Sequence, residues 1–266
     1  MPYLWKEVLE QTRGKGLWLG LLLVALTSLF LLAQARSYPA DLGFEAMLLS
    51  LFDMNVYLLP LLAMFLASFS VYQEKELKTL LMLVTKRESG LSFLLRKSVA
   101  LQAVLVGAFV VAYLLLAFPM KFLLNFHAAS FGAFLLALLI FLAVFVQVGV
   151  FLGVASRNKM QLIGANILTW FGVVFLLDLA YLYFLPAVTA DNARAFAWAY
   201  FLNPIHAVRM MLEHQLGLFS LTGMSRMMEK LVFLDPLAFA LINALLWPAL
   251  FFGLALLIRN AGAHHD

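Results

Sequence analysis

The sequence contains no cysteine and few charged residues. Without cysteine the chain forms no disulfide and offers no thiolate to a metal, which excludes the disulfide-stapled secreted domains. Charged residues make up 12% and hydrophobic residues 65% of the 266 residues, whereas a soluble domain is roughly a quarter charged and half apolar. Together with a mean hydropathy of +0.97, this composition predicts an integral membrane protein.

Long apolar runs take the place of the missing charges. A bilayer core of about 30 Å needs roughly 20 apolar helical residues, because backbone N–H and C=O groups find no partner in hydrocarbon. Six stretches qualify: Gly16–Ala35, Met47–Tyr72, Ser98–Met120, Ala128–Ala155, Leu162–Leu185 and Pro236–Ile258. None alternates apolar and polar residues as a transmembrane strand would. The predicted fold is a single all-α membrane domain over residues 1–266 with six transmembrane helices.

The basic residues predict the orientation of this domain. Of the 18 lysines and arginines, twelve lie on the side of the two termini and six on the opposite side. By the positive-inside rule, both termini are predicted to be cytoplasmic. The net charge of +4 is spread over short loops rather than gathered on one face, so no nucleic-acid partner is expected.

Three segments outside the spans carry the remaining signals. Residues 1–15 place apolar side chains on one helical stripe opposite the charges, which predicts a helix in the plane of the lipid interface; an ordinary cytoplasmic lead-in is the alternative. Residues 73–97 are predicted to be a cytoplasmic segment. Residues 186–235 are predicted to be extracytoplasmic, with short helices between spans five and six.

The 73–97 segment has acidic residues at its start, an apolar helix in its middle and basic residues at its end. Leu77, Leu80 and Leu81 share an apolar face that water disfavours. A contact of this helix with the groove of a partner protein is one interpretation. A solvated loop whose charges only set the topology is the other.

This segment resembles the one that follows the second span in permease subunits of type-2 ABC exporters. The residues that match the pattern of that family are Glu74, Glu76, Thr79, Leu80 and Lys97, whereas Lys78 and Arg87 replace its usual Gly and Pro. The resemblance implies an interfacial N-terminal helix, a second permease copy in a homodimer, and a separate cytoplasmic ATPase subunit. It also implies that the residues coupled to the ATPase are Glu74, Glu76, Leu77, Thr79, Leu80 and Leu81.

The chain itself lacks a nucleotide-binding motif. Its one Gly-Lys pair, Gly14-Lys15, has neither the preceding glycine nor the following hydroxyl of a P-loop. Neither a metalloprotease motif nor a nucleophile elbow is present. The chain is therefore predicted not to be an enzyme and to hold no cofactor, and ATP with Mg²⁺ is expected in the partner ATPase.

A second resemblance lies in the extracytoplasmic segment. Asn203 is predicted to cap a helix whose first residue is Pro204. With Arg209, these residues resemble a pattern of the NosY family, permeases of the complexes that help assemble the copper centre of nitrous oxide reductase; His206 replaces the expected acidic residue. The resemblance implies a periplasmic NosD-like partner. The residues implied to face it are Asn203, Pro204, His206, Arg209 and His214. A generic exporter of a hydrophobic or lipid-like compound and a secondary transporter are the alternatives.

Three residues of the same helix share one face at spacings of four and eight. They are His206, Met210 and His214. Imidazole and thioether ligands suit Cu(I), so a copper contact is one interpretation. An amphipathic re-entrant or interfacial helix with no metal is the other, since methionine is a general filler of apolar cores.

Two acidic residues fall inside predicted spans, both near the outer boundary. Asp53 and Asp178 are predicted either to line an outward-facing polar vestibule or to lie simply at the interface. Arg36 or Lys121 is the expected partner of either carboxylate.

Overall fold

The computed structural model describes residues 2–35, 43–76, 90–189, 191–218 and 234–262. Every regular element in these residues is helical, which confirms the all-α prediction. The α-helices are α1 Pro2–Arg13, α2 Lys15–Ala35, α3 Gly43–Glu76, α4 Gly90–Leu123, α5 Ala128–Ala155, α6 Lys159–Phe171, α7 Leu177–Phe184, α8 Ala193–Leu202, α9 Pro204–Gln215 and α10 Pro236–Gly262. A π-helical stretch, Gly172–Leu176, joins α6 to α7, and a 3-10 turn, Leu185–Ala187, follows α7.

Six helical stretches of the described residues are long and apolar enough to cross a membrane, as predicted. They are α2, α3, α4, α5, α10 and the continuous stretch Lys159–Ala187. The structure thus supports a multi-pass membrane protein. The bounds of α5 are those that the sequence predicts.

Two of these helices are longer than predicted. α3 and α4 have 34 residues each, instead of ending near Tyr72 and beginning near Ser98. A helix of that length is about 50 Å long, well beyond the roughly 30 Å of a bilayer core. The predicted bounds were wrong because polar residues at 73–76 and 90–97 continue the helices instead of ending them. Residues 77–89 lie outside the described residues.

The core of the bundle is built around α5. Helices α3, α4, α9 and α10 all pack against it. In the most apolar stretch of α5, 72% of the residues are buried, against 11% in α10. α5 is therefore an internal helix, whereas most of α10 presents apolar side chains outward, as a helix facing lipid does.

Two glycines let α5 approach α3 closely. A Cβ atom at Gly149 would lie 2.6 Å from the carbonyl oxygen of Met64, and one at Gly153 would lie 2.7 Å from that of Ser68. These distances are too short for any side chain. The four-residue spacing of the glycines places them on one face of α5, the arrangement that allows close packing of helices in membranes.

Pro60 lies in the middle of α3, which continues through it. A proline removes one backbone N–H donor and displaces the carbonyls of the preceding turn. In that turn, the carbonyl oxygen of Tyr57 accepts a hydrogen bond of 2.9 Å from the indole of Trp170. Trp170 is the second-last residue of α6, directly before the π-helical stretch. A neighbouring helix thus supplies a donor at the proline, as membrane proteins require.

Helix α1 turns a polar face toward the bundle. Glu7 and Gln11 are buried, whereas Trp5 is 66% exposed. The N-terminal helix was predicted to be amphipathic, and it is; the side that packs on the protein is the polar one. The exposed tryptophan suits a helix whose outer side meets lipid headgroups.

Candidate functional site

A buried ionic cluster joins three helices at the end of the bundle where the N-terminus lies. The Nζ atom of Lys97 in α4 lies 2.6 Å from Oε2 of Glu7 in α1 and 3.2 Å from Oε1 of Glu74 in α3. Lys6 reaches the same oxygen of Glu74 at 3.0 Å, and the hydroxyl of Ser70 donates to Glu7 at 2.8 Å. We refer to these five residues as the Lys97 cluster.

The burial of the Lys97 cluster makes its pairing obligatory. The side chains of Lys97 and Glu7 are fully buried, and that of Glu74 is 8% exposed. Removing a charge from water costs several kcal/mol, which only well-placed opposite charges and hydrogen bonds offset. Two amino groups facing two carboxylates leave the cluster close to neutral. The cluster thus holds α1 against the adjoining ends of α3 and α4.

The charge of Glu74 also acts on Lys6, at the edge of the cluster. Burial alone lowers the pKa of this amino group, but the hydrogen bond to Glu74 and the charges of Glu74 and Glu10 outweigh it and raise the pKa. Lys6 is therefore a cation at every pH near neutrality. It thus places a second positive charge beside Glu74, next to that of Lys97.

The carboxylates here do not form a metal site. Glu7, Glu10 and Glu74 place oxygen atoms within 4.8 Å of one another, the spacing of a metal-binding group. The amino groups of Lys6 and Lys97 already occupy the space between these oxygens. Cations of the chain itself thus fill the position where a metal ion would bind.

The structure separates the two acidic residues that the sequence singles out for coupling. Glu74 points into the Lys97 cluster, whereas Glu76 is half exposed and pairs with Lys159 at 3.1 Å. The other predicted coupling residues, Leu77, Thr79, Leu80 and Leu81, lie outside the described residues. Sequence reasoning noted Lys97 only as a match to a pattern; its pairing with Glu7 has no local signal.

A second group of charged residues lies toward the opposite end of the bundle, around α9. Asn203 caps this helix by accepting from the backbone N–H of Ile205 at 3.0 Å, and Pro204 is its first residue, as predicted. Nine of its 12 residues are buried, because α9 packs among α3, α5 and α10. A polar residue on this helix therefore needs a partner within the bundle.

Arg209 of α9 forms ion pairs with two carboxylates. Its Nε atom donates to Glu213 at 3.0 Å, and its terminal nitrogen lies 3.2 Å from Oδ2 of Asp53 in α3. The side chain of Glu213 is fully buried, whereas that of Asp53 is 39% exposed. Burial alone lowers the pKa of Arg209, but the two carboxylates outweigh it and raise the pKa. We refer to these three residues as the Arg209 cluster.

His206 joins the same helix to Asp178. Its Nε2 atom lies 2.9 Å from the carboxylate of Asp178 in α7. Its ring stacks on that of Tyr200, with centroids 3.9 Å apart and planes 12° from parallel. Burial and the nearby charge of Asp178 raise the pKa of Tyr200 to about 12.

The partners of the two in-span acids differ from those expected. Arg209 binds Asp53, and His206 contacts Asp178. The prediction of Arg36 or Lys121 as the partner did not foresee that α9 packs within the bundle. Arg36 lies outside the described residues. Glu213 was not singled out, although its i,i+4 spacing from Arg209 was a usable signal.

The three potential copper ligands of α9 have different surroundings. His206 faces Asp178, and Met210 packs in an apolar group with Phe201 and Phe239. His214 is exposed, about 12 Å along the helix axis from His206. One ion cannot contact both imidazoles across this distance, since metal–nitrogen bonds are near 2 Å.

Two comparisons with known proteins were made. No model of a known protein family matches the chain. No curated protein matches it with significant similarity either. The geometry of the two charged clusters is therefore the basis for assigning a function.

Proposed function

We propose that this chain is the transmembrane permease subunit of an ABC transporter. A separate ATPase subunit would bind ATP and Mg²⁺ and contact the permease at the 73–97 segment. The end that carries the Lys97 cluster would be cytoplasmic, in accord with the twelve basic residues on that side. Two copies of the chain would form a homodimer in the inner membrane of a bacterium.

The observation that carries this proposal is the continuity of α3. The helix runs unbroken from Gly43 to Glu76 and carries both Glu74 of the Lys97 cluster and Asp53 of the Arg209 cluster. These two residues are about 30 Å apart along the helix axis. A push on one end of such a helix reaches the other, because packed helices move as rigid bodies.

The Lys97 cluster joins α1, α3 and α4 at the end of the bundle where the ATPase would push. The described residues nearest to the 77–89 segment are the end of α3 and the start of α4, and Lys97 ties both helices to α1. A force on the intervening segment would therefore move three helices together. At the other end, Arg209 would pass the movement of α3 to α9 through Asp53.

We further propose that the partner-facing surface on the opposite side is periplasmic and includes the helices between spans five and six. In the NosY-like version, a periplasmic NosD-like protein would dock on the 186–235 segment during maturation of the copper site of nitrous oxide reductase. Of the residues that the resemblance implies, His214 is exposed and would face this partner, whereas Asn203, Pro204 and His206 are buried and Arg209 is paired with Asp53 within the bundle. The role is mechanical, and α9 is assigned no copper, because His206 and His214 are too far apart to share an ion.

Affinity purification of the tagged chain from its native membrane tests the proposal. Proteins that co-purify in mild detergent are identified by mass spectrometry for wild type, Glu76→Lys and Lys159→Gln. Both variants break the Glu76–Lys159 ion pair, but only the first alters the carboxylate expected to face the ATPase. We expect an ABC ATPase with wild type and Lys159→Gln, and several-fold less of it with Glu76→Lys.

Other results distinguish the alternatives. A periplasmic protein in the same eluate supports the copper-centre version, whereas an ATPase alone supports export of a hydrophobic or lipid-like compound. If no ATPase co-purifies in any of several mild detergents, the proposal is wrong and a secondary transporter becomes the better explanation.

A further inference from the structure

A cavity of about 480 Å³ lies beside the junction of α1 and α2, where these helices meet α3. Its volume is typical of a small-molecule site. It borders the Lys97 cluster at Ser70 but includes none of the charged members of that cluster. Its lining is divided into a polar part and an apolar part.

The polar part carries one charge of each sign. Lys15 and Glu10 both line the cavity, together with the amide side chain of Gln73. Glu10 also makes an exposed 3.4 Å ion pair with Lys6. Lys15, in contrast, makes no ion pair with any carboxylate of the described residues. A ligand with an anionic and a cationic group would match this arrangement.

The start of α2 adds further anion-binding groups. Lys15 is the first residue of this 21-residue helix, and it lines the cavity together with its neighbours Gly14 and Gly16. The first backbone N–H groups of a helix have no intrahelical acceptor, and the helix dipole favours an anion there. Phosphate groups bind at such positions, here next to an ammonium group.

The apolar part lies deeper along α3. Phe65, Leu66 and Phe69 line it, and the two phenylalanine rings stack with centroids 5.9 Å apart and planes 15° from parallel. They face the first turn of α2, where that helix enters its apolar stretch. Trp5 of α1 and Trp18 of α2 are both more than half exposed. Exposed tryptophans are typical of the depth at which lipid headgroups meet acyl chains.

We propose that this cavity binds one phospholipid with a zwitterionic headgroup that ends in a primary amine, of the phosphatidylethanolamine class. The phosphate lies against Lys15 and the first turn of α2, and the ammonium group donates hydrogen bonds to Glu10. An acyl chain runs along Phe65 and Phe69. The bound lipid holds α1 to α3 beside the Lys97 cluster. This inference does not depend on the proposed function.

Native mass spectrometry of the full chain tests the site. The purified protein is stripped of lipid in detergent, and phosphatidylethanolamine, phosphatidylcholine or phosphatidylglycerol is added at equal concentration. We expect one tightly bound phosphatidylethanolamine per chain. Phosphatidylcholine binds more weakly because its quaternary ammonium cannot donate to Glu10, and phosphatidylglycerol binds more weakly because it has no cation.

Three variants and a matched control locate the binding. Lys15→Gln removes the phosphate partner, which weakens binding about tenfold, and Leu66→Trp fills the apolar part and has a similar effect. Glu10→Gln abolishes the preference for phosphatidylethanolamine over phosphatidylcholine. Lys121→Gln, an exposed lysine at the end of α4, leaves binding unchanged.

Two results overturn the proposal. One is equal retention of phosphatidylethanolamine by wild type and Lys15→Gln. Because Lys15 is exposed, this substitution leaves the fold intact. The other is equal binding of all three lipids by the wild type, which means that the cavity does not recognise the headgroup.

Discussion

The amino group of Lys97 lies 2.6 Å from the carboxylate of Glu7, although 90 residues separate them in sequence. Both side chains are fully buried, so the N-terminal helix is attached to the bundle by charge rather than by apolar packing. A contact of this kind has a narrow geometric tolerance, because a buried charge without its partner is strongly unfavourable.

Replacing Lys97 tests how strongly this contact supports the fold. Lys97→Met leaves Glu7 without its nearest cation, and we expect a loss of about 3–5 kcal/mol in unfolding free energy. Thermal unfolding in detergent measures it. Lys159→Met, which removes only the exposed pair with Glu76, should cost less than about 1 kcal/mol. Adding Glu7→Gln to Lys97→Met should restore part of the stability. Equal losses for the two lysine variants would contradict the structure.

Because α5 lies close to α3, substitutions at different glycines of α5 should differ in their effect on stability. Gly149→Leu and Gly153→Leu place side chains against the backbone of α3, and overpacking of this kind costs about 1–3 kcal/mol or more. Gly132 of α5 has nothing within 4 Å of a Cβ atom, so Gly132→Leu is the matched control. Melting temperatures should fall for the first two variants only. A similar fall for all three would contradict the assignment, because leucine favours the helix more than glycine does and only close packing against α3 sets the first two positions apart.

The two ion pairs of Arg209 should differ in strength. Glu213 is fully buried and Asp53 is partly exposed, so burial makes the first pair the more important. We expect Arg209→Gln to cost about 1–3 kcal/mol, because it leaves a buried acceptor poorly satisfied, and Asp53→Asn to cost under about 1 kcal/mol. Chemical unfolding of both variants measures the difference. An Asp53→Asn variant as unstable as Arg209→Gln would refute this ranking.

Pro60 and Trp170 should be energetically coupled. Trp170→Phe removes the hydrogen bond to the Tyr57 carbonyl, at a cost of about 1 kcal/mol. In a Pro60→Ala background, the proline ring no longer displaces this carbonyl from its regular donor, the backbone N–H of Leu61, so the same substitution should cost less. A double-mutant cycle on unfolding free energies measures the coupling. Additive effects would show that the indole does not compensate for the proline.

The shifted pKa of Tyr200 predicts a dependence on pH at the alkaline end. The folded protein keeps this phenol protonated up to about pH 12, whereas the unfolded chain ionises it near pH 10. The stabilising contribution is therefore complete below about pH 10 and lost as the pH rises toward 12. Absorbance titration of wild type against Tyr200→Phe isolates this one of eight tyrosines. A difference signal that titrates near pH 10 in the folded protein would contradict the expected shift.

The sequence by itself determined the class of the molecule and its main elements. Six apolar runs of sufficient length become six membrane-length helices, because backbone groups in hydrocarbon have no alternative to the helix. The start of α9 could also be predicted from the local sequence. Asn203 accepts a hydrogen bond from a backbone N–H of the first turn, and Pro204 favours the helical backbone geometry there. The residues of the candidate sites were also partly visible, since Glu74 and Lys97 match a family pattern and Arg209 follows the predicted helix start at Asn203 and Pro204.

Only the tertiary structure decided how these charges pair. Glu7 and Lys97 come from helices far apart in sequence, and Asp53 meets Arg209 because α9 is buried among α3, α5 and α10. The same holds for the lengths of α3 and α4, whose polar ends remain helical while Glu74 and Lys97 pair in the Lys97 cluster and Glu76 pairs with Lys159. A charge in sequence predicts the need for a partner, whereas the packing of the helices selects which partner it has.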